Sequence, residues 1–145
     1  VLEGVSDGEN RARVTSSAIT GVYLLGDDMS KEGDEAVKRR IGKNITNPEI
    51  NRMARECKSF RPVELGTADK ANDMFCHTSG DCMYVALFNF SDAAVRKQLP
   101  LRRLGLSEGT RYDAVELWSA DKADLCGNLA VEIPAKDVKV FRIKL

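Results

Sequence analysis

The sequence predicts a mainly β fold: an antiparallel β-sandwich over about residues 60–145, preceded by a helical and α/β segment. Two observations support this prediction. After Ser59 the chain consists of short runs in which apolar and polar residues alternate, separated by turn residues. Before Ser59 the apolar residues recur at helical spacing, on either side of one apolar run that does not alternate. This leading segment is not expected to be self-sufficient, because one buried parallel strand cannot form a sheet alone.

Three helices are predicted in the leading segment. The first covers residues 9–19, and the second covers residues 31–41 and ends at Gly42. Asn47 fits the N-cap of the third helix because it precedes Pro48, whose fixed φ suits the first helical position. The apolar face of this helix is formed, at positions i, i+3, i+4 and i+7, by Ile50, Met53, Ala54 and Cys57.

Residues 21–26 (GVYLLG) form an apolar run without alternation, which predicts a strand buried on both faces, as in a parallel sheet. The run ends in Asp27 and Asp28. Barrel and open-sheet enzymes place their chemistry at the carboxyl ends of parallel strands, so both aspartates are candidate site residues. The alternative is that one aspartate caps the following helix while the other is solvated.

The rest of the chain is predicted to form about seven short strands, a number and spacing typical of a β-sandwich. In residues 60–65 the side chains alternate, and Pro62 favours an edge position or a strand start. Residues 73–76 and 82–90 predict a hairpin around a turn at residues 77–81. Further strands are predicted, in order, at residues 94–99, 111–118, 129–133 and 138–145, with a short turn or helical bend at residues 100–105.

Charge and residue spacing argue against several functional classes. Lys and Arg number 22, as do Asp and Glu, whereas proteins that bind nucleic acids are usually basic. No apolar run approaches the roughly 20 residues of a membrane span. The four cysteines form no CxxC and His77 is the only histidine, so neither a metal site nor a cofactor is predicted. Cys76 and Cys82 flank the predicted turn, which leaves both a disulfide and two free thiols open.

Trp118 is the other candidate site residue. With Ser119 and Asp121 beside it, it suggests a sugar-stacking platform, because an aromatic ring fits the apolar face of a pyranose. The competing interpretation is a core tryptophan at a strand end. His77 lies in the predicted hairpin tip without an evident role as a general base. The sequence also contains no GxSxG, P-loop or GxGxxG motif.

Five segments resemble, in order, the C-terminal part of α-galactosidase-type glycosidases. Residues 21–30 (GVYLLGDDMS) resemble the eighth barrel strand, which ends in a small-x-Asp-Leu/Met pattern. Residues 60–65 (FRPVEL) resemble the start of the C-terminal domain. Residues 84–91 are similar to the family's strand that leads to Phe-Asn. Residues 112–118 are similar to its Asp-Leu-Trp strand, and residues 133–143 to its closing segment. The family is glycoside hydrolase family 27, with its relative family 36.

This resemblance implies that residues 1–57 are the end of a (β/α)₈ barrel and residues 60–145 its C-terminal β-sandwich. The parent enzyme would hydrolyse a terminal α-galactosyl-type bond with retention, using two carboxylates about 5–5.5 Å apart. In the family both lie upstream of this segment, so no catalytic residue is expected here and this chain alone should be inactive. Asp28 matches the aspartate of the family pattern, and Asp27 stands where the family often has Asn. Both are expected at the rim of the sugar site.

The partners implied by the resemblance are the missing barrel, a carbohydrate with a terminal α-galactosyl-type residue and a second copy in a homo-oligomer. No cofactor, nucleic acid or membrane is expected, and the cellular compartment stays open. Two alternatives remain. One is a carbohydrate-binding module that uses Trp118 and Tyr112, which an exposed aromatic cluster would favour and burial of Trp118 would oppose. The other is a free-standing structural domain; an exposed apolar patch on the leading segment would instead favour a truncated barrel.

Overall fold

The computed structural model describes residues 4–21, 28–64 and 71–145. Residues 22–27, which include most of the predicted buried strand and Asp27, lie outside these ranges, so the predictions for them are untested. The described residues contain three α-helices, α1 (Asp7–Thr20), α2 (Glu35–Ile45) and α3 (Pro48–Glu56). The first and third helices begin close to the predicted positions.

Each helix starts at a side chain that accepts hydrogen bonds from free backbone amides of its first turn. Ser6 and Glu9 form a reciprocal capping box at α1. The carboxamide oxygen of Asn47 accepts hydrogen bonds from the amides of Glu49 and Ile50, both at 3.0 Å. The third helix therefore begins as the Asn-Pro sequence predicts.

The prediction for the second helix was wrong by four residues. Its N-cap is Asp34, whose carboxylate accepts hydrogen bonds from the amides of Ala36 at 2.6 Å and Val37 at 3.3 Å. Gly42 lies inside the helix rather than at its end, and Thr46 is the C-cap. A capping carboxylate satisfies donors that the first turn leaves free, and this fixes the start more strongly than the apolar spacing does.

Eight strands and one 3₁₀ turn (Leu101–Leu104) follow in the described residues. The strands are β1 (Arg61–Pro62), β2 (Met74–Ser79), β3 (Cys82–Asn89), β4 (Val95–Pro100), β5 (Arg111–Glu116), β6 (Lys122–Cys126), β7 (Asn128–Ile133) and β8 (Asp137–Lys144). All recorded pairings are antiparallel, in the order β1-β2-β3-β8-β5-β6-β7-β4. The predicted antiparallel β-fold is confirmed, and β1 lies at an edge, as Pro62 indicated. The strand β6 was not predicted from the sequence.

The hairpin between β2 and β3 is tighter than predicted. Ser79 pairs directly with Cys82, so the turn consists of Gly80 and Asp81 alone. Gly80 has a φ of 58°, the left-handed conformation that a two-residue hairpin turn requires. His77 consequently lies within β2 and not at the hairpin tip. Cys76 pairs with Val85, three positions from Cys82, so the two cysteines that flank the turn in sequence are not opposite each other.

The strand β3 is buried on both faces and thereby defines three layers. One set of alternating side chains, which includes Val85 and Leu87, packs between the two halves of the folded sheet. The other set, which includes Tyr84 and Phe88, packs under the helices. Complete burial of one large apolar side chain contributes about 1.5–3 kcal/mol. The central strand therefore supports a sandwich core on one side and a helix–sheet core on the other.

Candidate functional site

The loop before α2 holds Asp28, the described member of the predicted rim pair. Its carboxylate is exposed and accepts a hydrogen bond from the amide of Ser30 at 2.9 Å. That bond is the main reason why the pKa of Asp28 lies below its usual value of 3.8. Gly33 approaches so closely that a Cβ there would lie 2.4 Å from the carbonyl oxygen of Asp28. The loop thus presents an ionised carboxylate in a tight turn, while Asp34 caps the helix.

The structure places Trp118 against the first helix. Its indole nitrogen donates a hydrogen bond to the hydroxyl of Thr15 at 3.0 Å, and its ring packs, half-buried, against the helix–sheet core. Tyr112 packs against the sandwich core on the opposite face, and its hydroxyl accepts a hydrogen bond from the amide of Ser107 at 3.1 Å. The two aromatic residues therefore do not form one platform.

A buried carboxylate that the sequence analysis did not identify organises the turn that carries Trp118. Glu116 is 3% exposed, and its carboxylate accepts three backbone hydrogen bonds. The donors are the amides of Trp118 at 3.1 Å, Ser119 at 2.7 Å and Val140 at 3.0 Å. A buried charge is costly unless such bonds satisfy it, so Glu116 is a structural residue that holds the end of β5 to β8.

Polar contacts hold the helices on the sheet. Arg11 in α1 forms a two-point ion pair with Asp137 in β8, and Glu49 in α3 forms an ion pair with Arg142 in the same strand. The side-chain amide of Asn47 donates to the carbonyl oxygen of Leu117 at 2.9 Å, while its oxygen caps α3. These directional bonds give the helical segment one defined orientation on the sheet.

His77 lies at the junction between the helices and the sheet. Its ring is stacked on Phe60, with centroids 5.6 Å apart and planes at 23°. Its Nε2 accepts a long hydrogen bond, 3.4 Å, from the amide of Lys58. Over the part of the chain that the structure describes, no group of three or more His, Cys, Asp or Glu residues is arranged to hold a metal ion. Nor is any helix in these ranges long and apolar enough to cross a membrane.

An apolar groove lies between α1 and the outer faces of β2 and β3, with a volume of about 760 Å³. Its aromatic lining consists of Phe60, Phe75, Phe88 and Phe90. Phe90 is 60% exposed and lies parallel to Phe88, with centroids 5.5 Å apart, and Phe75 meets Phe88 edge-on. Glu9 and Lys136 add charged groups to the lining. We call this surface the aromatic groove.

The aromatic groove was not predicted from the sequence. The signal was present, because Phe88 and Phe90 are two residues apart and so lie on the same side of an extended chain. What the sequence did not show is that α1 covers Phe88 and leaves Phe90 largely exposed. An apolar groove with a largely exposed ring such as Phe90 is a surface that another molecule or another part of the protein can cover.

Comparisons with known proteins agree with this architecture. Residues 77–143 match the family model of the alpha galactosidase C-terminal beta sandwich domain. A search of curated protein sequences gave no match. In fold, 97% of the chain is similar to 36% of α-galactosidase I from Mortierella vinacea, with a TM-score of 0.80 at 16% identity.

Two further solved structures show the same relationship. A GH27 β-L-arabinopyranosidase from Geobacillus stearothermophilus matches all of the chain at 21% identity and a TM-score of 0.77, over 32% of its own length. The α-galactosidase of Saccharomyces cerevisiae, solved with raffinose, matches 99% of the chain at 12% identity and a TM-score of 0.72, over 44% of its length. The chain thus spans less than half of each enzyme. Residues 77–143 thus resemble the α-galactosidase C-terminal β-sandwich domain, and the chain has the fold of the C-terminal part of an α-galactosidase-like glycoside hydrolase.

Proposed function

We propose that this chain is the non-catalytic C-terminal part of a retaining α-galactosidase-like glycosidase, in which the sandwich packs on the catalytic barrel and stabilises it. The observation that carries the proposal is the placement of α1 and α3. Both helices bury their apolar faces on the outer surface of β3 and β8. The aromatic groove beside α1 stays open. In this proposal the helices link the sandwich to the rest of the barrel, which would pack on their outer faces.

The proposed division is residues 1–57 as the end of the barrel and residues 60–145 as the sandwich. The contacts at the junction support it. The amide of Phe60 donates a hydrogen bond to the carbonyl oxygen of Ile19 at 2.8 Å. The hydroxyl of Ser59 donates one to the carbonyl oxygen of Thr20 at 3.2 Å. The chain thus passes from helix to sheet directly beside the end of α1.

The aromatic groove would receive an earlier part of the same barrel. The chain corresponds to about one third of the M. vinacea and G. stearothermophilus enzymes, so in a protein of that size some two thirds of the polypeptide remains to cover it. The groove adjoins α1, the helix nearest to that remaining part in sequence. Burying the exposed ring of Phe90 would stabilise such a contact at about 25 cal/mol for each Å² removed from water.

The substrate of the parent enzyme would be a carbohydrate with a terminal α-galactosyl-type residue, and two copies of the parent could associate as a homo-oligomer. In this proposal Asp27 and Asp28 shape the rim of the sugar site, while the nucleophile and the acid/base residue lie in the earlier part of the barrel. The exposed, ionised carboxylate of Asp28 supports the first role, since it can accept hydrogen bonds from sugar hydroxyls.

The test compares the 145-residue chain with the full-length gene product on nitrophenyl α-galactoside. We expect turnover by the full-length protein and none by the chain alone. Appreciable turnover by the chain would overturn the proposal. Saturable binding of galactose to the chain alone, abolished by Phe90→Ser, would instead favour a carbohydrate-binding module.

A matched pair of variants tests the role of the aromatic groove. Phe90→Asp in the full-length protein should lower its Tm, because the charge would be buried against the barrel. The same change should leave the Tm of the 145-residue chain almost unchanged, since Phe90 is exposed there. Leu145→Asp is the control, because Leu145 is 47% exposed and lies outside the groove. Equal effects of Phe90→Asp in the two proteins would show that the barrel does not cover the groove.

A further inference from the structure

Cys57 and Cys82 lie on opposite sides of the junction between helix and sheet. Cys57 is the C-cap of α3, where its amide donates to the carbonyl oxygen of Met53 at 2.9 Å. Cys82 is the first residue of β3. Both side chains are half-buried and pack against the same helix–sheet core. They therefore share an environment although 25 positions separate them in sequence.

Glu56, the residue before Cys57, forms hydrogen bonds with residues around Cys82. The carbonyl oxygen of Glu56 accepts a hydrogen bond at 3.2 Å from the hydroxyl of Ser79, the cross-strand partner of Cys82. The carboxylate of Glu56 accepts a second one at 3.1 Å from the hydroxyl of Tyr84, two residues after Cys82. These bonds hold the end of α3 over the start of the hairpin.

The other two cysteines are placed elsewhere. Cys76 faces the sandwich core, on the opposite side of the sheet from Cys82. Cys126 is exposed at the end of β6 and pairs with Arg111. A disulfide requires Cβ atoms about 3.5–4.5 Å apart, and a sheet lies between Cys76 and the helix–sheet core. Cys57 therefore has one suitable partner among the three other cysteines.

We propose that Cys57 and Cys82 are a latent disulfide pair, which links α3 covalently to β3 when the protein meets a small-molecule disulfide such as oxidised glutathione. One thiolate attacks the oxidant and releases one molecule of glutathione, leaving a mixed disulfide on the protein. The second thiolate then attacks the protein sulfur of this intermediate and releases the other glutathione. In total the two protein thiols lose two protons and two electrons, and the oxidant is reduced to two thiols.

The surroundings of the pair set the rate of this chemistry. Burial, the carboxylate of Glu56 and the nearby Cys82 together raise the pKa of Cys57 to about 11. Burial is also the main cause that raises the pKa of Cys82. Since the thiolate is the nucleophile and a high-pKa thiolate is a poor leaving group, the link should form slowly near neutral pH and be reduced slowly. It would act as a stabilising cross-link and not as a rapid switch.

The experiment oxidises the 145-residue chain in a glutathione buffer and maps the disulfides by tryptic digestion without reduction. Residues 56–58 should become joined to residues 71–96. The second peptide contains both Cys76 and Cys82, so Cys76→Ser and Cys82→Ser are tested in parallel. We expect the link to persist in Cys76→Ser and Cys126→Ser and to disappear in Cys82→Ser and Cys57→Ser.

A second measurement covers the case in which a variant folds poorly. The Tm of the unsubstituted chain should rise by about 5–10 °C on oxidation, because a cross-link restricts the unfolded chain. Cys82→Ser should show no such rise, although its Tm in reducing buffer stays close to that of the unsubstituted protein. The proposal fails if all four thiols remain open to alkylation after prolonged oxidation, or if the link persists in Cys82→Ser. Neither result depends on any enzymatic activity.

Discussion

Arg11 holds Asp137 by two parallel hydrogen bonds, from Nε to Oδ1 at 3.1 Å and from Nη2 to Oδ2 at 2.6 Å. The pair joins the first helix to the last strand across 126 positions of sequence. The side chain of Asp137 is 4% exposed and that of Arg11 is 31% exposed. The carboxylate also accepts a hydrogen bond from the amide of Val138 at 2.8 Å. The bonding of Asp137 therefore depends on α1 staying in place.

Replacing Arg11 should destabilise the protein by leaving a buried carboxylate without its cation. Arg11→Met is expected to lower the free energy of unfolding by about 2–3 kcal/mol, with urea denaturation as the measurement. Asp137→Asn removes the charge but keeps the shape. In the double variant the two losses should therefore be less than additive. Strict additivity would contradict a direct interaction.

Gly8 is predicted to be irreplaceable by alanine, although it lies in a helix. A Cβ at Gly8 would meet the side chain of Asp137 at 2.9–3.1 Å. Gly8→Ala should therefore destabilise the protein by about 1–3 kcal/mol, as overpacking does. Gly42→Ala is the matched control, since a Cβ at Gly42, also helical, meets no atom within 4 Å. That change should stabilise by about 0.5–1 kcal/mol in the same urea titration, and a gain of stability from Gly8→Ala would refute the close approach.

Asn47 has two separable roles, and two substitutions should distinguish them. Asn47→Asp keeps an oxygen that caps α3 but loses the donor to the carbonyl of Leu117. Asn47→Ala loses both. We expect Asn47→Asp to lower the free energy of unfolding by about 1 kcal/mol and Asn47→Ala by about 2 kcal/mol, measured by urea denaturation. Equal losses would mean that the cap contributes nothing beyond the bond to Leu117.

Stability should decline at alkaline pH because two buried acids must ionise. The pKa of Cys57 is raised from 9.0 to about 11, and that of Tyr84 from 10.0 to about 12, mainly by burial in both cases. Each group favours folding in its protonated form. This contribution is complete below the unfolded pKa of 9.0 or 10.0 and is lost as pH rises through about 11 and 12.

The measurement for this prediction is the urea midpoint in reducing buffer across the alkaline range. Cys57→Ser should reduce the decline in stability between pH 9.0 and about 11. Cys126→Ser is the control because that thiol is exposed, and it should leave the decline unchanged. If stability declined equally in Cys57→Ser, the decline could not be assigned to the ionisation of Cys57.

Local signals account for the parts of the fold that the sequence predicted correctly. The Asn47–Pro48 pair and the alternating runs each act within a few residues. The strand β6 was missed because only Ala123 and Leu125 point inwards in its five residues, too few to establish a period. Its position depends on pairing with β5, which is a property of the folded chain.

The candidate site was less predictable because its contacts are distant in sequence. Trp118 was proposed as a candidate on its residue type alone, but its environment depends on Thr15, more than 100 positions earlier. In the sequence, Glu116 does not differ from an ordinary exposed charged residue in a strand. Its three amide donors come together only in the folded backbone. Asp28 was identified through the end of an apolar run and a family pattern, which fix its place in the chain but not its hydrogen bonds.

The two-sided burial of β3 has a consequence for how the molecule opens. Its backbone amides are paired with β2 and β8, and its side chains are covered from above and below. No local fluctuation at one surface can expose this strand to solvent without also disrupting a core. Its amide protons should therefore exchange only when the whole protein unfolds. In energetic terms the helical segment and the sandwich form one cooperative unit, although the sequence changes its pattern between them.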